Sequence, residues 1–395
     1  MTTKKGSQFK FVCYAIQGTG SFAVSFYFYY LYFLMQKWFG FGDKNNLALA
    51  AALGFVYIFA SWQAGRFAQR CGYFTALKTG FSIMLLALAA GSQLHSAAGL
   101  ILSSLVLSVG MCCLWPTIEA LVSEGEDAEG LPRAIGTYNV VWAGTNALAL
   151  FSGGTLVEKF GFRCIFYIPF AIVVAQLALT FWLQRHADEM ARAALNHPVV
   201  LLPPDPNRPS PARTMAFRRM ALLSNPFAYV AINTLIAVLP GIAGRFHLTP
   251  MFAGFACSLW GFARLGTFFA LWFWPGWHYR FRWLVTAFAL LIVAFAVILA
   301  APNLWVVLGA QIFFGTAIGL IYYSSLFYSM DTSETKGEHG GIHEAAIGVG
   351  NCLGPGVGAV SLQFFPQAAH NGVIAVSVLL LCGLGGLLGI WKTAR

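Results

Sequence analysis

Long apolar runs separated by short polar connections dominate the chain. A helix needs about twenty apolar residues to cross the hydrocarbon of a bilayer. Reading for that length predicts twelve crossings: 11–36, 47–65, 73–92, 97–121, 134–156, 164–184, 219–241, 249–274, 283–301, 304–330, 342–364 and 372–391. The runs are continuous rather than alternating, and an open sheet leaves backbone groups unmet in lipid, so helices are predicted and a barrel is not. Polar residues inside the runs recur at helical spacing. Gln17, Ser21 and Ser25 make one stripe on the first run, and Asn225, Tyr229 and Asn233 make another on the seventh.

The two stripes suggest a duplication. So do Ala134-Ile135-Gly136 with Asn139 in run five, against Ala346-Ile347-Gly348 with Asn351 in run eleven. Between runs six and seven lies HPVVLLPPDPNRPSPARTMAFRR, a stretch rich in proline and arginine. Prolines favour an extended spacer. The organisation expected is a six-helix bundle over 1–184, a cytoplasmic linker over 185–218 and a second six-helix bundle over 219–395.

Composition agrees with a membrane protein. Of 395 residues 58% are hydrophobic and 10% charged, against about 25% charged in soluble domains; the mean hydropathy is +0.69. The formal net charge of +10 raises the question of a nucleic-acid partner. Its distribution answers it. Lys4, Lys5, Lys10, Arg66, Arg70, Lys78, the arginines of 185–219, Arg280, Arg282, Lys392 and Arg395 fall in one set of alternate connections. The other set holds only Lys37, Lys44, Lys159, Arg163 and Arg245. Basic residues collect on the cytoplasmic side, so both termini are expected inside, in a bacterial inner (plasma) membrane, and no nucleic-acid partner is needed. The first apolar run is longer than a signal-peptide core and is expected to stay as a span. The eight cysteines form no CxxC or Cys/His spacing and read as small apolar residues. No metal or cofactor is expected, and a monomer suffices.

The segment WQAGRFAQRCGYF, 62–74, follows the second run. It resembles the motif found there in transporters of the major facilitator superfamily, with Gly65, Arg70 and Gly72 matching. Gln69 stands where that motif has aspartate, and Tyr73 where it has a basic residue. GGTLVEKFGFRCIFYIPF, 153–170, also resembles that family's segment between its fifth and sixth helices. The resemblance implies an all-α integral membrane protein of twelve transmembrane helices in two six-helix bundles that rock about a central cavity. It further implies that helices one, four, seven and ten line the cavity, and that helices five and eight are neighbours. The motif's carboxylate would latch the halves on the cytoplasmic side, a charge Gln69 does not carry. Arg66 or Arg70 is therefore expected to pair with Glu344, giving a gating set of Gly65, Arg66, Gln69, Arg70, Gly72 and Glu344. The alternative is that these arginines only mark the inner face.

The candidate chemistry centres on Arg264, the one charge in WGFARLGTFFALWF, 260–273. An isolated guanidinium at that depth costs from about 3 to more than 10 kcal/mol, and it stays charged. Of the fourteen acids only Glu119 and Glu344 fall within runs, both near the cytoplasmic end. No histidine falls at mid-depth, so a buried proton relay is not expected unless one of these acids serves from the rim. Arg264 thus stands without an acidic companion, and its fork suits a carboxylate or phosphate. Gln17, Ser21, Trp115, Tyr229, Asn233, Gln311 and Tyr322 are candidate solute contacts, and Asn146 is expected to approach Arg264. Helix-to-helix hydrogen bonding is the bland alternative for each. Tyr27, Tyr29, Tyr30 and Tyr32 read as a headgroup belt. No nucleophile–base pair, metal cluster or phosphate loop appears, so an enzyme is not indicated. The favoured reading is a transporter of a small organic or inorganic anion, carboxylate-type first, by alternating access. The alternatives are a carrier of neutral or lipophilic solutes, as in sugar or drug efflux, and a non-transporting receptor on the same scaffold.

Overall fold

The computed structural model describes residues 4–123, 130–194, 210–331, 336–366 and 370–394. Among them are fifteen α-helices: α1 (Lys4–Phe39), α2 (Asp43–Cys71), α3 (Tyr73–Gln93), α4 (Ala97–Cys112), α5 (Trp115–Ser123), α6 (Gly130–Phe160), α7 (Cys164–Ala194), α8 (Pro211–Ala237), α9 (Leu239–Arg245), α10 (Pro250–Cys257), α11 (Leu259–Phe273), α12 (Phe281–Ala300), α13 (Leu304–Asp331), α14 (Lys336–Phe364) and α15 (Asn371–Thr393). They make twelve crossings, because three runs are broken into helix pairs: α4/α5, α8/α9 and α10/α11. Pro116 and Pro240, lacking an N–H, sit at the start of the second helix in the first two pairs.

Eleven crossings are long and apolar enough to span a bilayer by composition. The exception is α1. Its buried face carries Gln17, Ser21, Ser25 and four tyrosines, which lowers its hydropathy without exposing those groups to lipid. The helices around the predicted linker are longer than expected. α7 continues to Ala194, and α8 starts at Pro211, capped by Ser210 accepting from Arg213 N. The ends of 185–218 are therefore helical, and 195–209 lie outside the described residues.

Within residues 4–194, α1 packs on α6 and α7, and α3 on α4 and α7. Within 211–393, α13 packs on α11 and α12, and α8 on α13, α14 and α15. Two seams join these sets: α2 along α14, and α6 along α10 and α11. Both depend on missing side chains. A methyl at Gly54 would collide with the backbone of Asn351 and Cys352, and one at Gly154 with the backbone of Pro250. Small residues let helix backbones approach in this way in membranes.

Both seams are closed at both faces. On the face where the chain begins, Gly341 meets Gly65, where an added Cβ would lie 3.0 Å from the Gly65 Cα, and Gly136 lies against the Trp272 ring. On the opposite face Lys44 Nζ donates to Gln363 Oε1 at 2.9 Å, and the Met251 N–H donates to Glu158 Oε1 at 2.8 Å. These contacts hold the two sets together at both ends of each seam.

Candidate functional site

A cavity of about 160 Å³ lies between the seams. The first, second, fourth, fifth, seventh, eighth, tenth and eleventh crossings all contribute to it. Its wall is aromatic, with Tyr29, Tyr32, Tyr57, Tyr138, Tyr229 and Tyr322 joined by Trp115, Trp142 and Trp260. The polar groups among them are few.

Arg264 is the cationic one. It sits on α11 six residues after the α10/α11 break and is 2% exposed. Its guanidinium lies over two indoles, 4.3 Å from the Trp142 centroid and 5.0 Å from that of Trp260. Nη2 donates to Asn146 Oδ1 at 2.6 Å. The same Oδ1 accepts from the Tyr29 hydroxyl at 2.8 Å, and Asn146 Nδ2 donates to Ser25 Oγ at 2.5 Å. The approach of Asn146 expected from sequence is thus present, and Asn146 is itself fixed by α1. Nε is buried without an acceptor, and among the described residues no carboxylate forms an ion pair with Arg264. A guanidinium has five N–H donors. The ring contacts contribute up to about 2 kcal/mol each when desolvated. These contacts hold the fork in place but leave its charge unneutralised and most of its donors unclaimed.

The break above it is stabilised from α13. Where α10 ends, Gln311 Nε2 donates to Ala256 O at 2.9 Å; where α11 begins, Gln311 Oε1 accepts from Trp260 N at 3.4 Å. A helix break leaves such groups unmet, which lipid does not tolerate. Gln311 is therefore a brace behind the site and does not line the cavity, contrary to its expected solute contact. The resulting discontinuous helix at mid-depth is a common construction for solute sites in carriers.

Glu344 is the anionic group. It was expected at the cytoplasmic rim, paired with Arg66 or Arg70. Instead it is 5% exposed, lines the same cavity as Arg264, and its Oε2 accepts from the Tyr57 hydroxyl across the α2/α14 seam. The reason is helix length. α14 starts at Lys336, not near 342, so Glu344 stands about two turns inside the helix. Arg264 is thus not without an acid in its cavity, although the two do not form an ion pair. Tyr229 and Tyr322 lie within electrostatic range of both. Glu119, expected near the cytoplasmic end of its run, lies four residues before the end of α5 and is buried. It is 1% exposed, beside Tyr138.

The other predicted contacts divide. Trp115, Asn146, Tyr229, Asn233 and Tyr322 line the cavity with Arg264. Asn233 Nδ2 donates to Asn351 Oδ1 at 2.5 Å, and Tyr322 stacks on Trp142 with centroids 4.8 Å apart. Ser21 does not face the cavity; it donates to Trp142 O at 3.0 Å, tying α1 to α6. Gln17 is fully buried away from it, its amide unpartnered. The tyrosines of α1 are not a headgroup belt. All four are buried, Tyr27 bonds Ser104, and Tyr30 donates to Leu150 O at 2.6 Å. Sequence reasoning missed Tyr57, Tyr138 and Trp260; hydroxyl or indole groups deep in apolar runs were the available signal.

The gating residues other than Glu344 lie at the end of α2 and just after it. Gly65 makes the seam contact with Gly341, and the Arg66 guanidinium lies 4.1 Å from the Trp62 centroid. Gln69 and Arg70 are exposed. Gly72 has φ +88°, which lets α3 start one residue after α2 ends. The motif's second glycine therefore has a backbone reason.

Twelve crossings in two packed sets, with a polar–aromatic cavity between them, make a multi-pass membrane protein with an interior site. The family model described as Major Facilitator Superfamily matches residues 11–355, and the chain belongs to that family of transporters. No curated protein matches the chain.

Proposed function

We propose that this transporter moves a small organic anion, of carboxylate type, by alternating access. The single observation that carries the reading is Arg264, buried in the cavity with no ion-paired acid and with unclaimed N–H donors. A carboxylate accepts a guanidinium fork in bidentate fashion and removes the uncompensated charge. Cavity size supports a small cargo. Drug-sized ligands occupy pockets of about 300–1,000 Å³, whereas the cavity here is about 160 Å³. An apolar cavity of about 150 Å³ holds a benzene, so the cargo has about six to eight non-hydrogen atoms.

The moving bodies in this reading are 1–184 and 219–395, joined through 185–218, with both termini in the cytoplasm of a bacterial inner membrane. The glycine contacts Gly65–Gly341 and Gly136–Trp272 are the inner gate. The Lys44–Gln363 and Glu158–Met251 contacts are the outer one. Each must open in turn to admit the anion.

The test is uptake and counterflow by the full chain in lipid vesicles, with a panel of C3–C6 carboxylates, phosphate, monosaccharides and cationic dyes. Carboxylate exchange that is lost in Arg264→Ala, with protein of unchanged size-exclusion profile, is the expected result. Sugar or dye movement unaffected by Arg264→Ala overturns the anion reading in favour of a neutral or lipophilic cargo. Movement of nothing in the panel, with a protein partner still bound, favours a receptor.

A further inference from the structure

The cavity that holds Arg264 also holds Glu344, and the anion reading leaves that acid unexplained. We propose that the cargo is bipolar: a small zwitterion of the amino-acid kind, its carboxylate on Arg264 and its ammonium on Glu344. The inference rests on the anion reading of Arg264 and extends it.

Three observations carry it. Glu344 lines the cavity, and no Lys or Arg among the described residues pairs with it. Its Oε2 is occupied by Tyr57, while Oε1 has no protein donor among the described residues. The groups packed against it supply no cation. Glu119 on α5 is a second acid, Tyr57 comes from α2 and Tyr229 from α8, and His343 next to it on α14 faces the Tyr322 ring of α13 with both nitrogens unpartnered.

A buried carboxylate without a cation is costly. A purely anionic cargo satisfies Arg264 but leaves Glu344 without a cation, and gives the cavity, in which the two groups otherwise balance, a net negative charge. A zwitterion neutralises each pole and adds no net charge. The two poles lie on different seams: Arg264 belongs to α6/α11, where Asn146 holds it, and Glu344 to α2/α14, where Tyr57 holds it. A bipolar solute therefore links both seams, whereas a simple anion engages one. Between the poles the wall is Tyr229, Tyr322, Trp115 and the Asn233–Asn351 pair, which suits a short carbon skeleton with hydrogen-bonding ends.

The experiment uses purified full-length protein and melting-temperature titrations with four probes on one skeleton: pentanoate, 2-aminopentanoate, 5-aminopentanoate and butylamine. The expected result is that one of the two amino acids binds wild type at least about tenfold tighter than pentanoate or butylamine, as expected for one added charge-assisted contact. Glu344→Gln, which keeps an acceptor for Tyr57, should bring that amino acid and pentanoate within about twofold of each other. Tyr57→Phe keeps the carboxylate and should keep the preference, which separates loss of charge from loss of fold. If pentanoate binds as tightly as either amino acid, in an Arg264-dependent way, the bipolar cargo is overturned and the anion reading stands. If Glu344→Gln abolishes a pH dependence of pentanoate binding without changing selectivity, Glu344 serves a proton and the bipolar cargo is again overturned. If no carboxylate binds in an Arg264-dependent way, both readings fall.

Discussion

The two seams between the helix sets are built alike and charged oppositely. In each, an asparagine ties the first and fifth crossings of one set together: Asn146 to Ser25 between α6 and α1, and Asn351 to Asn233 between α14 and α8. In each, a glycine lets the opposing helix approach to backbone contact, Gly154 at Pro250 and Gly54 at Asn351. The match of Ser25 with Asn233 in sequence is thus a repeat of construction, whereas the counterpart of Asn351 is Asn146 and not Asn139, the residue the sequence suggested. What differs is the ionisable group. The α6/α11 seam presents Arg264, which has its asparagine, two indoles and Tyr29 around it. The α2/α14 seam presents Glu344, which is hydrogen-bonded to one phenol, Tyr57. Similar frames with different charges at the two seams make an asymmetric cavity, and asymmetry is what a solute with distinguishable ends requires.

Substitutions that change one seam and leave the other should sharpen this contrast. Arg264→Ala is expected to have the largest effect, weakening carboxylate binding by about 100-fold, because two charge-assisted contacts of about 1.5 kcal/mol each are lost; melting-temperature titration with carboxylates measures it. Gly54→Val and Gly154→Val should each stop the occluded state from forming and cut vesicle uptake by about tenfold or more, since overpacking costs about 1–3 kcal/mol. Equal losses would show that both seams close during transport; loss at one alone would break the comparison. Asn146→Ala removes the acceptor of both Arg264 and Tyr29 and should weaken carboxylate binding by about tenfold, whereas Asn351→Ala, on the seam of opposite charge, should change it by less than about threefold. Gln311→Leu should lower the melting temperature by a few degrees, since it leaves groups at the α10/α11 break unmet at about 1–3 kcal/mol, with carboxylate affinity unchanged. An affinity loss there equal to that of Asn146→Ala would mean that Gln311 touches solute after all.

Some of this arrangement was legible in the chain and some was not. Arg264 declared itself as a lone charge in an apolar run, and Asn146 followed from the family's neighbouring fifth and eighth helices. Trp115, Tyr229, Asn233 and Tyr322 were found because polar or aromatic groups deep in a span have few places to go. Ser21, Gln17 and Gln311 carry the same kind of signal yet point elsewhere, to a carbonyl of α6, to an interior position and to a helix break. Residue type shows that a polar group is buried, not which neighbour receives it. Glu344 was misplaced because hydropathy marks where apolar character begins, whereas the backbone of α14 had already been helical for about two turns.

The amino-acid sequence by itself determined the number of crossings, the all-helical class and the family, because the requirement to satisfy every backbone group in lipid acts locally and leaves its mark in run length and motif. Tertiary structure alone decided that Arg264 and Glu344 share one cavity on opposite seams. They lie eighty residues apart in the chain, and only the crossing of α2 with α14 and of α6 with α11, set by glycine contacts in three dimensions, turns them toward the same space.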